Sequence, residues 1–112
     1  MNAFNELVSV LQPILPVETI NFKHNPPAEY AVLTPLIDED VCFVNDSPAY
    51  EMQEVRISIY TKNNYINLKN RIVKAVRKAD FTITEKRFIE LEDDTGYYHY
   101  AVDTAKIYET EE

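Results

Sequence analysis

The stretch "EVRISIYTKNNYINLKNRIVKAVRKAD", residues 54–80, changes its hydrophobic period once, and this change decides the fold. In its first part apolar and polar side chains alternate, which places Val55, Ile57 and Ile59 on one side of a predicted strand. After two asparagines the period becomes helical, and an amphipathic helix is predicted over residues 65–79. A half-buried strand followed by a one-sided helix predicts a sheet covered by helices on one face.

The predicted helix carries its charges opposite its apolar stripe. Asn63 or Asn64 can cap it, since a side-chain oxygen accepts a hydrogen bond from a free N–H of the first turn. Six of the eleven Lys and Arg residues lie within residues 62–78, although the net charge is −8. This basic side fits a nucleic-acid surface, an ordinary solvated face or half of a contact with another subunit.

The chain before this stretch predicts a helix, a strand and an acidic segment. Apolar residues recur at helical spacing over residues 3–12. Residues 28–37 read as a strand in which Pro35 requires an edge position or a bulge, because proline donates no ladder hydrogen bond. Residues 38–54 hold six acids and no base, and an exposed loop or loose hairpin is predicted there, with a short strand over residues 41–44.

The chain after it predicts a long β-hairpin whose turn contains the only glycine. In a regular first strand, Glu85 and Arg87 share a face with the apolar Ile83 and Leu91, which predicts that the hairpin extends beyond the domain body. The whole of residues 1–112 is therefore predicted to be a single α+β domain. Its mostly antiparallel sheet carries a short N-terminal helix and one longer helix on one face.

Composition excludes several classes of protein. One glycine is too few for a Gly-rich phosphate loop. Cys42 stands alone, which excludes an internal disulfide and a Cys-cluster zinc site and fits a reducing compartment. No apolar run approaches the ~20 residues that cross a bilayer, and the N-terminus lacks the basic region of a signal peptide. The charge of −8 argues against general affinity for nucleic acids or anionic membranes.

Catalytic patterns are also absent from the sequence. The acids near Asp38 lack the glycine and the spacing of a calcium loop. His24 and His99 have no adjacent catalytic partner, although His99 and Asp103 share one strand face. Cys42 lies among acids, which raise the pKa of a thiol. We therefore predict no enzyme activity, no metal and no cofactor.

The tyrosines and the charge segregation favour a protein contact. Tyrosine rings can stack bases, but the acids near residues 97–100 favour an interface or core. A basic helix face and an acidic segment in one chain can meet head-to-tail, and such contacts can close into a ring. The candidate contact residues are Arg71, Lys74, Arg77, Lys78, Asp38, Asp40, Asp46, Glu51, Tyr97, Tyr98 and Tyr100.

The order of segments resembles the tail terminator, or tail completion, proteins of long-tailed bacteriophages. The likeness is carried by "YAVL" (30–33), "NDSPAYEMQE" (45–54), "VRISIYTK" (55–62), the helix (65–79) and "YHYAVDTAKIYE" (98–109). It covers most of the chain and rests on pattern and order, without a catalytic signature. Residues 26–27 and 38–40 have no counterpart role in the family.

What the resemblance implies is structural work without a cofactor or a reaction. Such proteins form rings, commonly hexameric, on the finished tail tube. The implied partners are copies of the chain, the tail tube protein and the head connector, with no membrane and no specific nucleic-acid binding. The implied location is the virion tail, after assembly in the bacterial cytoplasm. DNA crosses the ring lumen, where an acidic wall prevents sticking. A head–tail connector, another minor tail component and a small nucleic-acid-binding module remain alternatives.

Overall fold

The computed structural model of the chain describes residues 2–18, 26–44 and 47–109, with side chains described outside residues 42–49. The strands form one five-stranded sheet in the order β1-β2-β3-β5-β4, in which β1 is parallel to β2 and all other neighbours are antiparallel. This confirms the predicted α+β class. The elements are α1 (Ala3–Leu11), β1 (Val17–Glu18), β2 (Glu29–Val44), β3 (Ser47–Thr61), α2 (Tyr65–Lys78), β4 (Thr82–Leu91) and β5 (Tyr98–Glu109).

Helix α1 begins at a cap that the sequence provides. The side chain of Asn2 accepts a hydrogen bond from the backbone N–H three residues later at 2.8 Å. This satisfies one of the four N–H groups that a helix start leaves free. Ala3, Leu7 and Leu11 recur about one turn apart and are fully buried. The predicted N-terminal helix is confirmed, and it ends before Pro13, which cannot continue a helix.

Strand β3 has the predicted alternation and organises the core. Val55, Ile57 and Ile59 are buried in one cluster with residues of both helices. We call this side of the sheet the helix face and the other side the back face. The back-face side chains of the same stretch are Arg56, Ser58 and Tyr60.

Helix α2 agrees with its predicted bounds to one residue. Asn64 caps it, since its side-chain oxygen accepts hydrogen bonds from the backbone N–H groups of Ile66 and Asn67 at 3.0 and 3.2 Å. Asp80 has a φ of 69°, the left-handed conformation that commonly ends helices. Neither described helix is long and apolar enough to span a membrane. The buried residues of α2 are Leu68, Ile72, Val73 and Val76.

Residues 38–44 and 47–54 are paired strands, so the hairpin alternative and the strand over residues 41–44 are confirmed and the exposed loop is wrong. Strand β2 continues to Val44, and β3 begins at Ser47, with Val41 opposite Tyr50. The described acids of this stretch are exposed on β2 and half-buried on β3, so pairing the backbone does not require full burial of their charges. Alternating apolar residues and the anchoring of β3 by β5 outweigh the low strand propensity of the acids.

The proline in β2 marks a bulge, as predicted. The pairing register between β2 and β3 shifts between Pro35 and Ile37. Strand β1 pairs with Ala31 and Val32, and among the described residues no strand lies beside Pro35 on that side of β2. An open edge is where a missing N–H is tolerated.

Two register shifts in β4 reverse the predicted facing of its charges. One shift lies between Ile83 and Glu85, and the other lies between Phe88 and Glu90. Each extra residue exchanges the two faces for everything that follows. Glu85 therefore lies on the back face, opposite Asp103, and does not share a face with Ile83 as predicted.

The same register corrects the predicted face of Arg87. It also confirms that His99 and Asp103 share one face of β5. Arg87 lies opposite Ala101 on the back face, whereas Leu91 lies opposite Tyr98 on the helix face. Because of the second shift, the apolar residue that joins Leu91 on the helix face is Phe88, opposite Tyr100. The imperfect alternation of β4 thus comes from bulges and not from a strand leaving the domain.

The hairpin that extends is β2–β3, whereas the prediction assigned this role to β4–β5. At one end of the sheet, Thr61 lies opposite Tyr98, and Tyr98 lies opposite Leu91, so three strands end together. At the other end, Tyr50 lies opposite Glu109, and β2 and β3 continue past this pair without a third strand among the described residues. The protein is accordingly elongated, with extents of 54 × 26 × 24 Å.

Candidate subunit interface

The predicted cations of α2 form one exposed surface. Intervals of three, three and one residue place positions 71, 74, 77 and 78 on the same side of a helix. All four side chains are exposed, and none of them makes an ion pair with any described residue. Two of them lie in the last turn, where cations interact favourably with the helix dipole. We call this surface the basic face: Arg71, Lys74, Arg77 and Lys78.

Three of the four predicted acids lie on the two strands of the β2–β3 hairpin. Asp38 and Asp40 are exposed on β2, and Glu51 is half-buried on β3. Asp40 lies opposite Glu51, and Asp38 lies opposite Gln53, whose side chain accepts a hydrogen bond from the start of α1. All three carboxylates are therefore on the helix face, and we call them the acidic face. Asp46 lies outside the described residues.

Asp40 and Glu51 form a like-charge pair across the strands. Directly opposite residues have Cβ atoms about 4.5–5.5 Å apart, and like charges there are destabilising. Within the described chain the only hydrogen bond to this pair comes from Gln53 Nε2, which donates to Glu51 Oε1 at 2.6 Å. No described Lys or Arg forms an ion pair with either carboxylate. A cation supplied from outside the subunit would relieve this repulsion.

The three tyrosines predicted at the contact are divided between the two faces of the sheet. Tyr97 is only 4% exposed and packs edge-on against Tyr30 and Tyr60 on the back face. Its hydroxyl donates a hydrogen bond to a backbone carbonyl just before β2 at 2.6 Å. Tyr98 and Tyr100 lie on the helix face. Tyr97 is thus a core residue of the back face. Tyr98 and Tyr100 remain candidate contact residues, and both lie on the helix face.

Tyr98 belongs to an exposed surface that the sequence did not indicate. Its ring centroid lies 5.2 Å from that of Tyr65, the first residue of α2, and Tyr65 lies 5.3 Å from Phe88. Phe88 and Leu91 are 45% and 46% exposed. We call these four residues the aromatic patch. The sequence carries no signal for this patch because only the bulge after Phe88 brings Leu91 to the same face.

A second apolar surface lies on the back face, at the other end of the sheet. Met52 lies opposite Ile107, and Tyr50 and Ile37 lie on the same face nearby. Ile37, Tyr50 and Ile107 are 46%, 39% and 58% exposed. We call these four residues the β3–β5 patch. An open cleft of about 520 Å³ adjoins this patch beside the first residues of β4. It is lined by Met52, Asp80, Thr82, Thr84, Ala105, Lys106 and Ile107.

His99 does not form the catalytic pair that its position leaves open. Asp103 instead accepts hydrogen bonds from both Nε and Nη2 of Arg56, at 2.8 and 3.0 Å. The His99 ring stacks on Tyr60 with centroids 4.3 Å apart, and its Nε2 has no partner among the described atoms. Burial lowers the pKa of His99, although nearby Glu90 and Glu92 carboxylates act in the opposite direction. The imidazole is a packing group of the back face.

A half-buried polar network joins α1 to β5. Lys106 Nζ donates to Glu6 Oε2 at 2.6 Å and to the carbonyl of Ala79 at 2.8 Å, and the Tyr108 hydroxyl donates to Glu6 Oε1 at 2.7 Å. Burial alone would raise the pKa of Glu6, but the hydrogen bonds from Lys106 and Tyr108 and the charge of Lys106 outweigh it and lower that pKa. Burial and the bond to Glu6 raise the pKa of Tyr108. All these groups satisfy one another, so the network is structural.

Within residues 2–18, 26–44 and 47–109, no three His, Cys, Asp or Glu side chains are placed to hold one metal ion. No protein-family model matches the chain, and no match to it is found among curated proteins. The basic face, the acidic face and the two apolar patches are therefore the features from which a function must be argued.

Proposed function

We propose that this chain is the subunit of a phage tail terminator ring, which caps the tail tube and joins it to the head connector. The order of helix, strand, acidic strand pair, helix and hairpin agrees with the segments through which the sequence resembles that family. The role is structural and involves no reaction. The ring would be assembled in the bacterial cytoplasm and remain in the virion tail.

The unneutralised Asp40–Glu51 pair supports this proposal most directly. Two carboxylates opposite each other in a strand pair cost stability unless a cation neutralises them. The basic face of α2 offers four cations that no described carboxylate pairs with. Within one subunit the basic face and the acidic face form no ion pairs with each other. Between subunits, the cations of one face can pair with the carboxylates of the other.

A contact between these two surfaces is head-to-tail. One partner contributes a helix and the other a strand pair, so the same contact repeats at each subunit and closes into a ring when the rotation allows. Exposed ion pairs contribute only about 0–1 kcal/mol each, and they mainly set the partner and the rate of association. A net charge of −8 also leaves acidic surface for a lumen through which DNA passes.

Charge reversal tests the proposal. Asp40→Lys should relieve the repulsion within the subunit and repel the basic face of a neighbour. The matched control is Asp94→Lys, the same change at an exposed turn residue after β4. We expect negative-stain electron microscopy and sedimentation velocity to show rings for the wild type and for the control, and smaller species for Asp40→Lys. Rising salt should also dissociate the wild-type rings.

Two results would contradict the proposal. The first is a wild type that forms no rings either alone or on purified tail tubes. The second is an Asp40→Lys chain that assembles as well as the Asp94→Lys control. Capping of tubes distinguishes a terminator from a head–tail connector or another minor tail component, which would form rings without stopping tube growth.

The exposed basic face also keeps a nucleic-acid-binding module as the second candidate. Four unpaired cations on one helix side can contact phosphates, and such binding weakens steeply with salt. Fluorescence anisotropy with duplex and single-stranded DNA at low and physiological salt tests this function. Salt-dependent binding that is lost in Lys74→Glu, together with the absence of rings, would replace the first proposal with the second.

A further inference from the structure

We infer that the aromatic patch of one copy docks on the β3–β5 patch of the next copy, an inference that rests on the proposed function and adds an apolar contact on the side of the β2–β3 hairpin opposite the acidic face. The basic and acidic faces alone are insufficient for a stable ring, since exposed ion pairs contribute so little. Specific interfaces bury a centre of aromatic and aliphatic anchors behind a polar border. The two patches supply such a centre.

The aromatic patch has the form of an anchor. Phe88 and Leu91 project from β4, an edge strand of the sheet, and nearly half of each residue is exposed. Tyr65 and Tyr98 support Phe88 from the side, with centroid distances of 5.3 and 6.4 Å. Such support holds the phenyl ring in one orientation before binding, which lowers the entropy lost on docking.

Cations border the aromatic patch on its own face. Lys86 lies opposite Val102 and therefore shares the helix face with Phe88. Lys69 Nζ lies 5.7 Å from the ring centroid of Tyr100, the residue directly opposite Phe88. The acids of β4 next to this patch face the other way: Glu85 by its alternation with Phe88, and Glu90 because of the bulge after Phe88.

The β3–β5 patch has the form of a receiving surface with the opposite border. Its floor is Met52 and Ile107, and the adjoining cleft of about 520 Å³ has room for an aromatic side chain. Glu39 lies opposite Met52, and Glu109 lies opposite Tyr50, so carboxylates flank the apolar centre. Glu54 shares this face, and Asp80 lines the cleft. Apolar surface meets apolar surface, and a basic border meets an acidic one.

The placement of the patches selects a second copy as the occupant. The aromatic patch lies on the helix face at the end where β3, β4 and β5 finish together, and the β3–β5 patch lies on the back face at the extended end. Two surfaces on opposite faces and opposite ends of one sheet cannot meet within a subunit. Because the patches lie on opposite faces and ends, two copies cannot dock through both patches at once, so the contact is head-to-tail and leaves one free patch at each end until a ring closes.

Mixing two single variants tests this arrangement. Phe88→Glu blocks the anchor, and Ile107→Glu blocks the receiving surface. Both positions are exposed enough for a new carboxylate to stay hydrated in the subunit. Ser9→Glu, at an exposed position of α1 outside both patches, is the matched control. Circular dichroism and thermal unfolding confirm folding, and Phe88→Ser and Ile107→Ser replace any variant that does not fold.

Sedimentation velocity then distinguishes the outcomes. We expect each blocked variant to be monomeric, with the dissociation constant raised about 30-fold or more, as for loss of an interface anchor. An equimolar mixture should give a dimer and nothing larger, because only one intact anchor and one intact receiving surface can meet. The Ser9→Glu control should assemble as the wild type does.

The failures are separable from those of the proposed function. Wild-type rings that persist in both blocked variants overturn the docking inference and leave the ring function standing. Rings lost in only one variant also overturn it, because a head-to-tail contact needs both patches. A wild type that stays monomeric at every concentration and on tail tubes overturns the ring function together with the inference.

Discussion

Replacing Lys106 with methionine should destabilise the protein more than any other single lysine change among the described residues. The ammonium group donates to Glu6 Oε2 at 2.6 Å and to the Ala79 carbonyl at 2.8 Å, and it thereby joins α1 and the end of α2 to β5. The Lys106 and Glu6 side chains are only 20% and 23% exposed. Methionine retains the apolar stem and removes the charge and both hydrogen bonds.

The magnitude follows from these two contacts. Both bonds are donated by the charged ammonium, and a hydrogen bond involving a charged group contributes about 1.5–3 kcal/mol. Partial exposure reduces both figures, so the free energy of unfolding at pH 7 should fall by about 2–3 kcal/mol. For a domain of this size, the midpoint temperature should drop by roughly 10 °C.

The loss should depend on pH in a direction fixed by Glu6. The network lowers the pKa of this carboxyl below its ordinary 4.5. A carboxyl with a depressed folded-state pKa contributes stability above its unfolded pKa and loses it as the pH falls through the folded value. The difference between wild type and Lys106→Met should therefore be full at pH 7 and shrink below pH 4.5. The bond from the charged ammonium to the Ala79 carbonyl does not titrate there, so a difference of about 1–1.5 kcal/mol should remain.

Urea unfolding of dilute protein at pH 7 and at pH 3 measures both effects. Lys74→Met is the matched control, because Lys74 is exposed and has no described ion-pair partner. Its free energy of unfolding should stay within about 0.5 kcal/mol of the wild type at either pH. The reasoning fails if Lys106→Met behaves like this control at pH 7, or if its loss of stability is the same at both pH values.

Three further changes test the fold. Asn64→Ala should cost about 1 kcal/mol in urea unfolding because it removes the α2 cap, whereas Asn63→Ala should cost about 0.3 kcal/mol or less; equal losses would contradict the assignment of the cap. Asp103→Asn should cost about 2 kcal/mol by weakening both bonds from Arg56, and a neutral outcome would show that this pair adds no net stability. Asp80→Gly should raise the midpoint temperature by roughly 4 °C, since glycine adopts the left-handed φ of 69° without strain, and a lower midpoint would refute the strain.

The elements that follow from local pattern could be predicted from the sequence. The 2-residue period around Ile57 and the helical period of residues 65–79 depend only on neighbouring side chains and on whether they meet the core. Both elements are confirmed. The sequence predicted Asn63 or Asn64 as the cap, and the cap is Asn64. The Pro35 bulge was predicted for the same reason, because the missing N–H acts at its own position.

The features that depend on pairing between distant strands could not be predicted. The acids of residues 38–40 left an exposed loop and a loose hairpin as alternatives, and the strand there is fixed by β3, which in turn is held by β5. The bulges in β4 depend on its register with β5, and each one exchanges the two faces for the residues beyond it. Register carries no local signal in the sequence of Ile83 or Phe88.

The candidate interface was predicted in part for the same reason. The basic face needs only a helix, and it lies where the spacing of Lys74 and its neighbours indicates. Tyr97 lies on the back face and Tyr98 on the helix face, which is the alternation of β5 continued by one residue before the strand begins. The aromatic and β3–β5 patches arise from residues such as Phe88 and Ile107 that are brought together or left open by the sheet order.

The position of β5 has a consequence for how the protein comes apart. Although it follows every other described strand in the chain, it lies inside the sheet, between β3 and β4. Its side chains hold α1 through Lys106 and the back of the sheet through Asp103. Loss of β5 from the sheet would leave β4 without a hydrogen-bonded neighbour and would expose the edge of β3 at the same time. Amide protons of β5 should therefore exchange with solvent only when the entire molecule unfolds, and the chain should melt as a single cooperative unit.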